Sequence, residues 1–394
     1  MSRFYSYLNS ASQLLQLYKG EEPFASFLKK YFSANKKYGS KDRKQIAHLC
    51  YCFFRLGKME TGLPVEERIV MGLFLCSDKP NEILATLKPE GNEKTRLTIH
   101  EKLLIINYSL LITEVFPWKE GLSNGIDHEK FCESFFIQPD LFIRLRPGKE
   151  NIVREKLTNA GIEFRVVSET CLALPNTSKI DEILELDSEA VVQDYSSQRT
   201  GDFIQSEIVS QTPIAIRAKV KVWDCCAASG GKSIMAHDAN PGIELTVSDI
   251  RESILANLRK RFERAGIKNY KSIEIDLTSD QSEIKNLKSE IIICDAPCTG
   301  SGTWSRTPEQ LYFFGEKRID EYATLQKKIV SNVIPHLQPG GSFIYITCSV
   351  FRKENEDMVE FMKQNFHLEL KQMEVLKGYD KKADSMFVAV LGKS

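Results

Sequence analysis

Two thiols and a carboxylate sit where this sequence can do chemistry. Ile291-Ile292-Ile293-Cys294-Asp295-Ala296-Pro297-Cys298-Thr299-Gly300-Ser301-Gly302 runs four apolar residues into a carboxylate and a thiol, then into a Gly-rich loop. A second thiol ends another apolar run, Tyr345-Ile346-Thr347-Cys348-Ser349. Short apolar runs of this kind read as buried strands, so both thiols are expected at strand ends. An enzyme that methylates an amino group carries an aromatic residue after the proline to stack the base, and here Cys298 takes that place. Two cysteines at neighbouring strand ends suit covalent catalysis on a pyrimidine, because carbon 5 of cytosine is unreactive until a thiolate adds to carbon 6. Either cysteine alone reads more simply as a buried apolar residue; the pair points to chemistry. The residues themselves do not say which thiol attacks.

A ligand loop lies upstream. Val222-Trp223-Asp224-Cys225-Cys226-Ala227-Ala228-Ser229-Gly230-Gly231-Lys232 is a strand running into a small-residue turn that opens a helix. Small residues let the backbone approach a ligand, and free amides at a helix start favour a negative group. Gly231-Lys232-Ser233 resembles the end of a phosphate loop, but that motif needs glycine at 226, where Cys226 stands, and the dinucleotide pattern GxGxxG is absent. A Rossmann-like sheet holding another nucleoside remains, and S-adenosylmethionine fits best. Asp249, 18 residues beyond Gly231, is placed to accept from ribose hydroxyls. Asp276, expected to close the third strand, can reach an adenine amino group, though an Asp there also serves as a turn or cap residue.

The elements that must position these groups follow from periodicity. From about residue 200, strands at 220–225, 244–247, 272–275, 291–294 and 342–346 alternate with helices at 231–239, 251–265 and 353–365, and strands at 368–372 and 386–391 follow. This predicts an α/β fold with a mostly parallel sheet, whose ligands lie at the carboxyl ends of its strands. Residues 141–193 read as strand, helix (149–159), two strands (164–167, 172–174), helix (179–184) and strand (190–193), the order of a ferredoxin-like, RRM-like subdomain. Residues 1–130 show apolar spacings of three and four (Phe24, Phe27, Leu28, Phe32; Ile46, Leu49, Phe53, Phe54), predicting an all-α domain. In it Tyr38-Gly39-Ser40-Lys41-Asp42-Arg43 makes a turn with Ser40 as helix cap. The expected domains are therefore 1–130, 131–200 and 201–394.

The 394 residues, 42% hydrophobic, can bury real cores, which excludes a disordered scaffold. No apolar run approaches the roughly 20 residues of a membrane span, and the first twenty residues lack a secretory signal's unbroken apolar stretch, so a cytoplasmic protein is expected. Ten cysteines without a CxxC pair argue for reduced thiols and against structural zinc; no metal is expected. The net charge of zero hides an asymmetry: residues 1–60 carry eleven Lys and Arg against four acids, a net +7 that leaves −7 for the rest. A basic N-terminal region suits a polyanion such as RNA, although a solvated helix face would look the same. The chain is expected to work as a monomer.

Taken together, Cys226 to Lys232, Asp249, Asp276, Asp295-Ala296-Pro297-Cys298 and Thr347-Cys348-Ser349 resemble the Sun/Fmu (RsmB-like, NSUN-related) RNA cytosine-5 methyltransferases. Val192-Gln193-Asp194 and Ser197-Gln198 lead into the domain in the same way. Around Tyr38 to Gly57 (Gly39, Asp42-Arg43, Tyr51, Arg55) the helical part resembles the NusB-like domain of the bacterial ribosomal members. The resemblance implies that Cys348 is the nucleophile, that Cys298 assists release of the methylated base, and that Asp295 holds or protonates the ring nitrogen beside the amino group. It implies that residues 226–232 (Cys226, Ala227, Ala228, Ser229, Gly230, Gly231, Lys232) with Asp249, Asp276 and Asp295 hold S-adenosylmethionine, and that Lys232 takes an active-site role rather than only capping the loop. The expected activity is formation of 5-methylcytosine, in ribosomal RNA first and transfer RNA as the alternative. A catalytically retired RNA-binding assembly factor is a different class, against which the intact thiol pair argues. Two departures stand out: Ser229 replaces the usual Pro, which should loosen the cofactor loop, and Asp384-Ser385-Met386-Phe387 replaces Asp-Gly-Phe-Phe, which should affect packing alone.

Overall fold

The computed structural model describes residues 2–59, 62–106, 112–211, 219–279 and 284–394. By contact these form two compact units. The first comprises Met1–Leu122, Asp127–Gln138 and Thr303–Gly315, and the second takes the remainder.

The first unit is helical, led by Arg3–Leu17, Phe24–Ala34, Ser40–Phe54 and Val65–Cys76. Its apolar spacings place Phe24, Leu28, Phe32, Ile46, Leu49 and Phe53 in one core. Ser40 does not cap: Gly39 holds the cap position and its amide donates to the Asp42 carboxylate at 2.8 Å. The side chain three residues into the helix thus does what the hydroxyl was expected to do. Arg55, just past the Ser40–Phe54 helix, is buried and donates to the carbonyls of Phe135 and Ile137, to Gln138 Oε1 at 2.8 Å and to the Ser305 carbonyl at 3.0 Å. Residues 303–315 therefore belong to this unit although they follow the Pro297-Cys298 loop in sequence. No described helix is long and apolar enough to cross a membrane.

The second unit contains two sheets. Strands β1 (Leu141–Leu145), β2 (Arg165–Ser168), β3 (Cys171–Leu174) and β4 (Ala190–Val192) form an antiparallel sheet in the order β2-β3-β1-β4. The helix expected at 179–184 is absent: residues 181–184 form turns. The segment has only Ile180, Ile183 and Leu184 to bury, too few for a helix to hold itself against the sheet.

Strands β5 (Lys221–Asp224), β6 (Glu244–Asp249), β7 (Tyr270–Glu274), β8 (Ser289–Asp295), β9 (Leu337–Thr347), β10 (Leu368–Leu376) and β11 (Met386–Lys393) form the larger sheet. Its order is β10-β11-β9-β8-β5-β6-β7. Pairs from β9 through β7 are parallel, and β11 joins antiparallel to both neighbours, so the sheet is mixed. Alternate residues face opposite sides. Val222, Ile291, Ile293, Ile344 and Ile346 pack with helices Tyr195–Gln211, Gly231–Ala239 and Glu252–Ala265. Trp223, Ile292, Cys294, Phe343 and Tyr345 pack with Lys317–Val333 and Glu356–Phe366. Helices Tyr195–Gln211 and Lys317–Val333 were not among the expected elements, although the second carries Ile319, Ala323, Ile329, Val330 and Val333 at helical spacing.

Candidate active site

Strands β8 and β9 are parallel neighbours, with Asp295 opposite Ile346. Their carboxyl ends therefore bring the two thiol loops together, with Cys298 Sγ 3.3 Å from Cys348 Sγ. Both cysteines are half-buried and unoxidised. The Gly302 amide donates to the Cys348 carbonyl at 2.9 Å, and the Gly302 carbonyl accepts from the Ser385 amide at 2.9 Å. A Cβ at Gly302 would lie 2.0 Å from the Ser385 carbonyl oxygen, so only glycine lets the loop dock there. The backbone of Ser385 thus holds the Cys298 loop, a contact that does not depend on which side chain stands at 385.

The hydrogen bond with Cys348, burial, and the charges of Cys348 and Glu354 push the Cys298 thiol well above its ordinary value. Behind both loops lies Glu354, fully buried and not among the expected site residues. It accepts from the Thr299 amide (2.8 Å) and hydroxyl (2.6 Å), from the Ser349 hydroxyl and from Gln326 Nε2 (3.4 Å). Burial pushes its carboxyl up, while the Ser349 and Thr299 hydroxyls pull it back.

Asp295 ends β8 and remains part exposed, and Lys232, from the first turn of the Gly231–Ala239 helix, donates to it at 2.9 Å. Lys232 is buried and donates also to Ser197 Oγ at 2.9 Å, which Gln193 Nε2 reaches at 3.1 Å. Lys232 therefore touches the carboxylate of the thiol loop rather than only closing its own turn. No spacing rule links Gln193 and Ser197 to Lys232; the fold brings them together.

The cofactor loop is built on Asp249, whose carboxylate accepts from the Ala228 amide (3.1 Å), the Arg251 amide (3.0 Å) and Arg251 Nε (3.3 Å). Ala228 has φ 45° and Gly230 φ 86°. A Cβ on Gly230 would meet Phe262 at 2.6 Å, whereas one on Gly231 would meet only Gln193 Nε2, at 3.8 Å. The helix start is thus packed from below at Gly230 and open at Gly231. The Ala227 amide donates to the Ser248 carbonyl at 2.9 Å, and Cys226 is half-buried. Ser229 is tied into this loop: Arg261 Nη1 donates to its carbonyl and to its hydroxyl, each at 2.9 Å, and Arg261 in turn pairs with Asp187 at 2.8 Å.

Asp276 lies two residues beyond the end of β7 rather than closing it. Its Oδ1 accepts from the Thr278 hydroxyl (2.7 Å) and amide (2.9 Å), which hold the carboxyl below its usual range. The turn alternative raised by its position is the one realised at that oxygen. Asp224 was overlooked. It ends β5 fully buried, with Oδ2 accepting from the Ser233 hydroxyl at 2.6 Å and Oδ1 without a partner. Burial pushes its carboxyl up to about 7; Ser233 and Lys232 oppose the shift, and Asp295 and Cys226 add to it.

Cys225, Cys226 and Cys294 form the one group of possible metal ligands among the described residues, with sulfurs within 4.8 Å of one another. Three sulfurs fall short of the four ligands of a structural zinc site, and Cys225 and Cys294 lie within the apolar core.

Residues 212–390 match the family model described as 16S rRNA methyltransferase RsmB/F. The ribosomal RNA small subunit methyltransferase B of Shewanella oneidensis is 30% identical over 176 residues, 45% of this chain and 39% of that protein. That of Citrobacter koseri is 32% identical over 139 residues, 35% of this chain and 32% of that protein. The matched stretch spans about two fifths or less of these curated relatives. Among solved structures, PH0851 superposes with a TM-score of 0.66 at 19% identity, covering 98% of this chain and 97% of that one. NSun6 from Pyrococcus horikoshii, solved with SFG, superposes at 0.56 with 15% identity, covering 72% of this chain and 96% of that one. The resemblance to the Sun/Fmu family drawn from the motifs is borne out.

Proposed function

We propose that this chain, with its RsmB/F-type methyltransferase segment, is an S-adenosylmethionine-dependent RNA methyltransferase that forms 5-methylcytosine, in ribosomal RNA. The observation that carries the proposal is the pair of sulfurs 3.3 Å apart beside a carboxylate held by a buried lysine.

The loop suits the cofactor. It is open at Gly231, where a ligand's negative group meets helix amides. Asp249 spends three of its roughly four acceptor sites on the protein, which leaves capacity for a ribose hydroxyl. Cys226, Ala227, Ala228, Ser229, Gly230 and Gly231 supply the backbone, with Asp276 at the adjoining strand end. Bound S-adenosylmethionine supplies an electrophilic methyl group.

The Cys348 thiolate adds to carbon 6 of the cytosine, forming a sulfur–carbon bond and moving the ring's π pair toward carbon 5. Asp295, with Lys232 behind it, lends a proton to the ring nitrogen beside the amino group, stabilises the charge that forms there, and takes the proton back when the base is released. Carbon 5 takes the methyl group as the sulfur–methyl bond breaks, and the bonding pair stays on the cofactor's sulfur, which leaves as a neutral thioether. Once Cys348 is a thioether it no longer raises its neighbour's proton affinity, so Cys298 gives up its proton to solvent and becomes the available base. It removes the proton from carbon 5, the pair re-forms the ring double bond, and the Cys348 sulfur leaves as thiolate.

In this reading residues 1–130 are a NusB-like RNA-binding domain whose Lys36, Lys37, Lys41 and Lys44 are exposed. Residues 131–200 are a ferredoxin-like subdomain, supported by the antiparallel order β2-β3-β1-β4, and 201–394 are the catalytic domain. The chain works as a monomer without metal, in the cytoplasm, where its ten free thiols stay reduced.

The test is transfer of a labelled methyl group from S-adenosylmethionine to a small-subunit ribosomal RNA transcript, mapped by bisulfite sequencing. Conversion-resistant cytosine is the expected result. Label on transfer RNA alone moves the substrate, and label on no RNA defeats the proposal in favour of a retired binding factor.

A further inference from the structure

Thr299 follows one thiol of the pair and Ser349 follows the other, and one buried carboxylate binds both. Glu354 takes the Thr299 amide at 2.8 Å and hydroxyl at 2.6 Å, and also the Ser349 hydroxyl. The next residue completes the grip: Asn355 Oδ1 accepts from the Thr347 hydroxyl at 2.5 Å, and its Nδ2 donates to the Ser349 carbonyl at 3.0 Å. Cys348 is therefore held through the residues on both sides of it. Gln326 Nε2 joins the same carboxylate at 3.4 Å and donates to the Pro297 carbonyl at 3.0 Å, on the other side of Cys298.

Hydroxyl and amide groups packed this closely can satisfy one another, as the Thr299–Ser349 contact at 3.2 Å and the Ser301–Ser349 contact at 3.1 Å show. A buried carboxylate bound by the neutral donors of Thr299, Ser349 and Gln326 costs more than a neutral residue in the same space. An ionised carboxylate only accepts, so it orients every donor inward toward itself and leaves the thiols on the outer side of both loops.

We propose that Glu354 is a positioning residue that locks the Cys298 and Cys348 loops to each other at the sulfur spacing that attack and release require. The inference rests on the covalent reading above and deepens it. Glu354 touches neither sulfur in the hydrogen-bond network; it acts through Thr299 and Ser349. Its charge adds to those that keep Cys298 in the thiol form, so the same group that sets the distance separates the roles of the two thiols.

The experiment compares the full chain with Glu354→Gln, Glu354→Asp and Thr299→Val. Measured are kcat and KM for RNA, affinity for S-adenosylmethionine, and the rates at which Cys298 and Cys348 are alkylated between pH 6 and 9, read by mass spectrometry. Glu354→Gln is expected to lower kcat about 100-fold, the scale of an ångström-sized misplacement, with KM and cofactor affinity within twofold. The ratio of the two alkylation rates should change by about tenfold or more, and Glu354→Asp should recover part of both effects. Thr299→Val cuts the hydroxyl tether while keeping Glu354, and carries the test if Glu354→Gln does not fold. An active parent whose Glu354→Gln and Thr299→Val forms keep kcat and the alkylation ratio within twofold would overturn the inference and leave the covalent reading standing. A parent that forms no covalent RNA adduct and no 5-methylcytosine sinks the covalent reading and this inference together.

Discussion

Two groups of cysteines occupy the same edge of the same sheet. Cys225, Cys226 and Cys294 follow or end β5 and β8 with sulfurs within 4.8 Å, and Cys298 and Cys348 follow β8 and β9 with sulfurs 3.3 Å apart. Proximity of sulfur does not distinguish them; their surroundings do. Cys225 and Cys294 lie among Trp223, Ile275, Ile292 and Phe343, where burial pushes the Cys225 thiol far up while hydrogen bonds with Cys225 and Cys226 pull that of Cys294 down. The pair is only half-buried, opens from Gly-rich loops and is tied from behind by Glu354 and Asn355. Buried cysteine is a small hydrophobe unless its setting makes it reactive. In the proposed mechanism the reactive sulfurs are the two whose loops a polar frame holds, and Cys225 and Cys294, which lack that frame, belong to the core.

The strongest way to break this contrast is to remove the sulfurs one at a time. Cys348→Ala should abolish methylation and any covalent enzyme–RNA adduct, because without addition at carbon 6 carbon 5 never becomes nucleophilic. Cys298→Ala should instead stall at release and accumulate a methylated adduct that survives denaturing electrophoresis. An adduct in Cys348→Ala but not in Cys298→Ala would exchange the two roles.

Next in size is the carboxylate beside the core sulfurs. Asp224 titrates near 7 when folded against about 3.8 free, so the native state holds its proton more tightly than the unfolded chain. Its stabilising contribution is fully present below about pH 3.8 and is lost as pH rises through 7, a difference of a few kcal/mol at about 1.4 kcal/mol per unit. Asp224→Asn should flatten the decline in unfolding free energy between pH 5 and 8. Denaturant titrations with identical pH slopes for parent and variant would show that Asp224 does not titrate in this range.

The smallest effect concerns the core trio itself. Cys294→Ala should cost about 1 kcal/mol of stability through lost packing and leave methylation per folded molecule unchanged. A loss of turnover without a loss of stability would make the trio part of the chemistry and erase the distinction.

Much of this site was legible before any coordinates. Apolar runs ending in Asp295 and Thr347 marked the strands, and the small-residue stretch from Cys226 to Gly231 marked the loop, because both are local patterns. What stayed hidden depends on residues far apart in the chain. Glu354 binds Thr299 and Arg261 binds Ser229 only after the sheet has formed; no spacing rule pairs them. Asp276 went to its own turn because Thr278, two residues on, offers two donors at once. Residues 179–184 carry helix-like spacing, but a run that short gains too little from it to become a helix.

Residues 303–315 have a consequence for how the molecule is made. The helical unit begins at the first residues of the chain, yet its buried Arg55 donates to the carbonyl of Ser305 and the Phe24 amide donates to Glu309 Oε1 at 3.2 Å. Tyr312 lies against Phe53 and Phe54, and Phe313 against Tyr18 and Phe54. A nascent chain emerges in order, so the first 138 residues leave the ribosome with an incomplete core and complete it only after the cofactor loop and the Cys298 loop have already appeared. An expression fragment ending at residue 138 would expose aromatic rings that the whole protein buries, and should aggregate where the full chain folds.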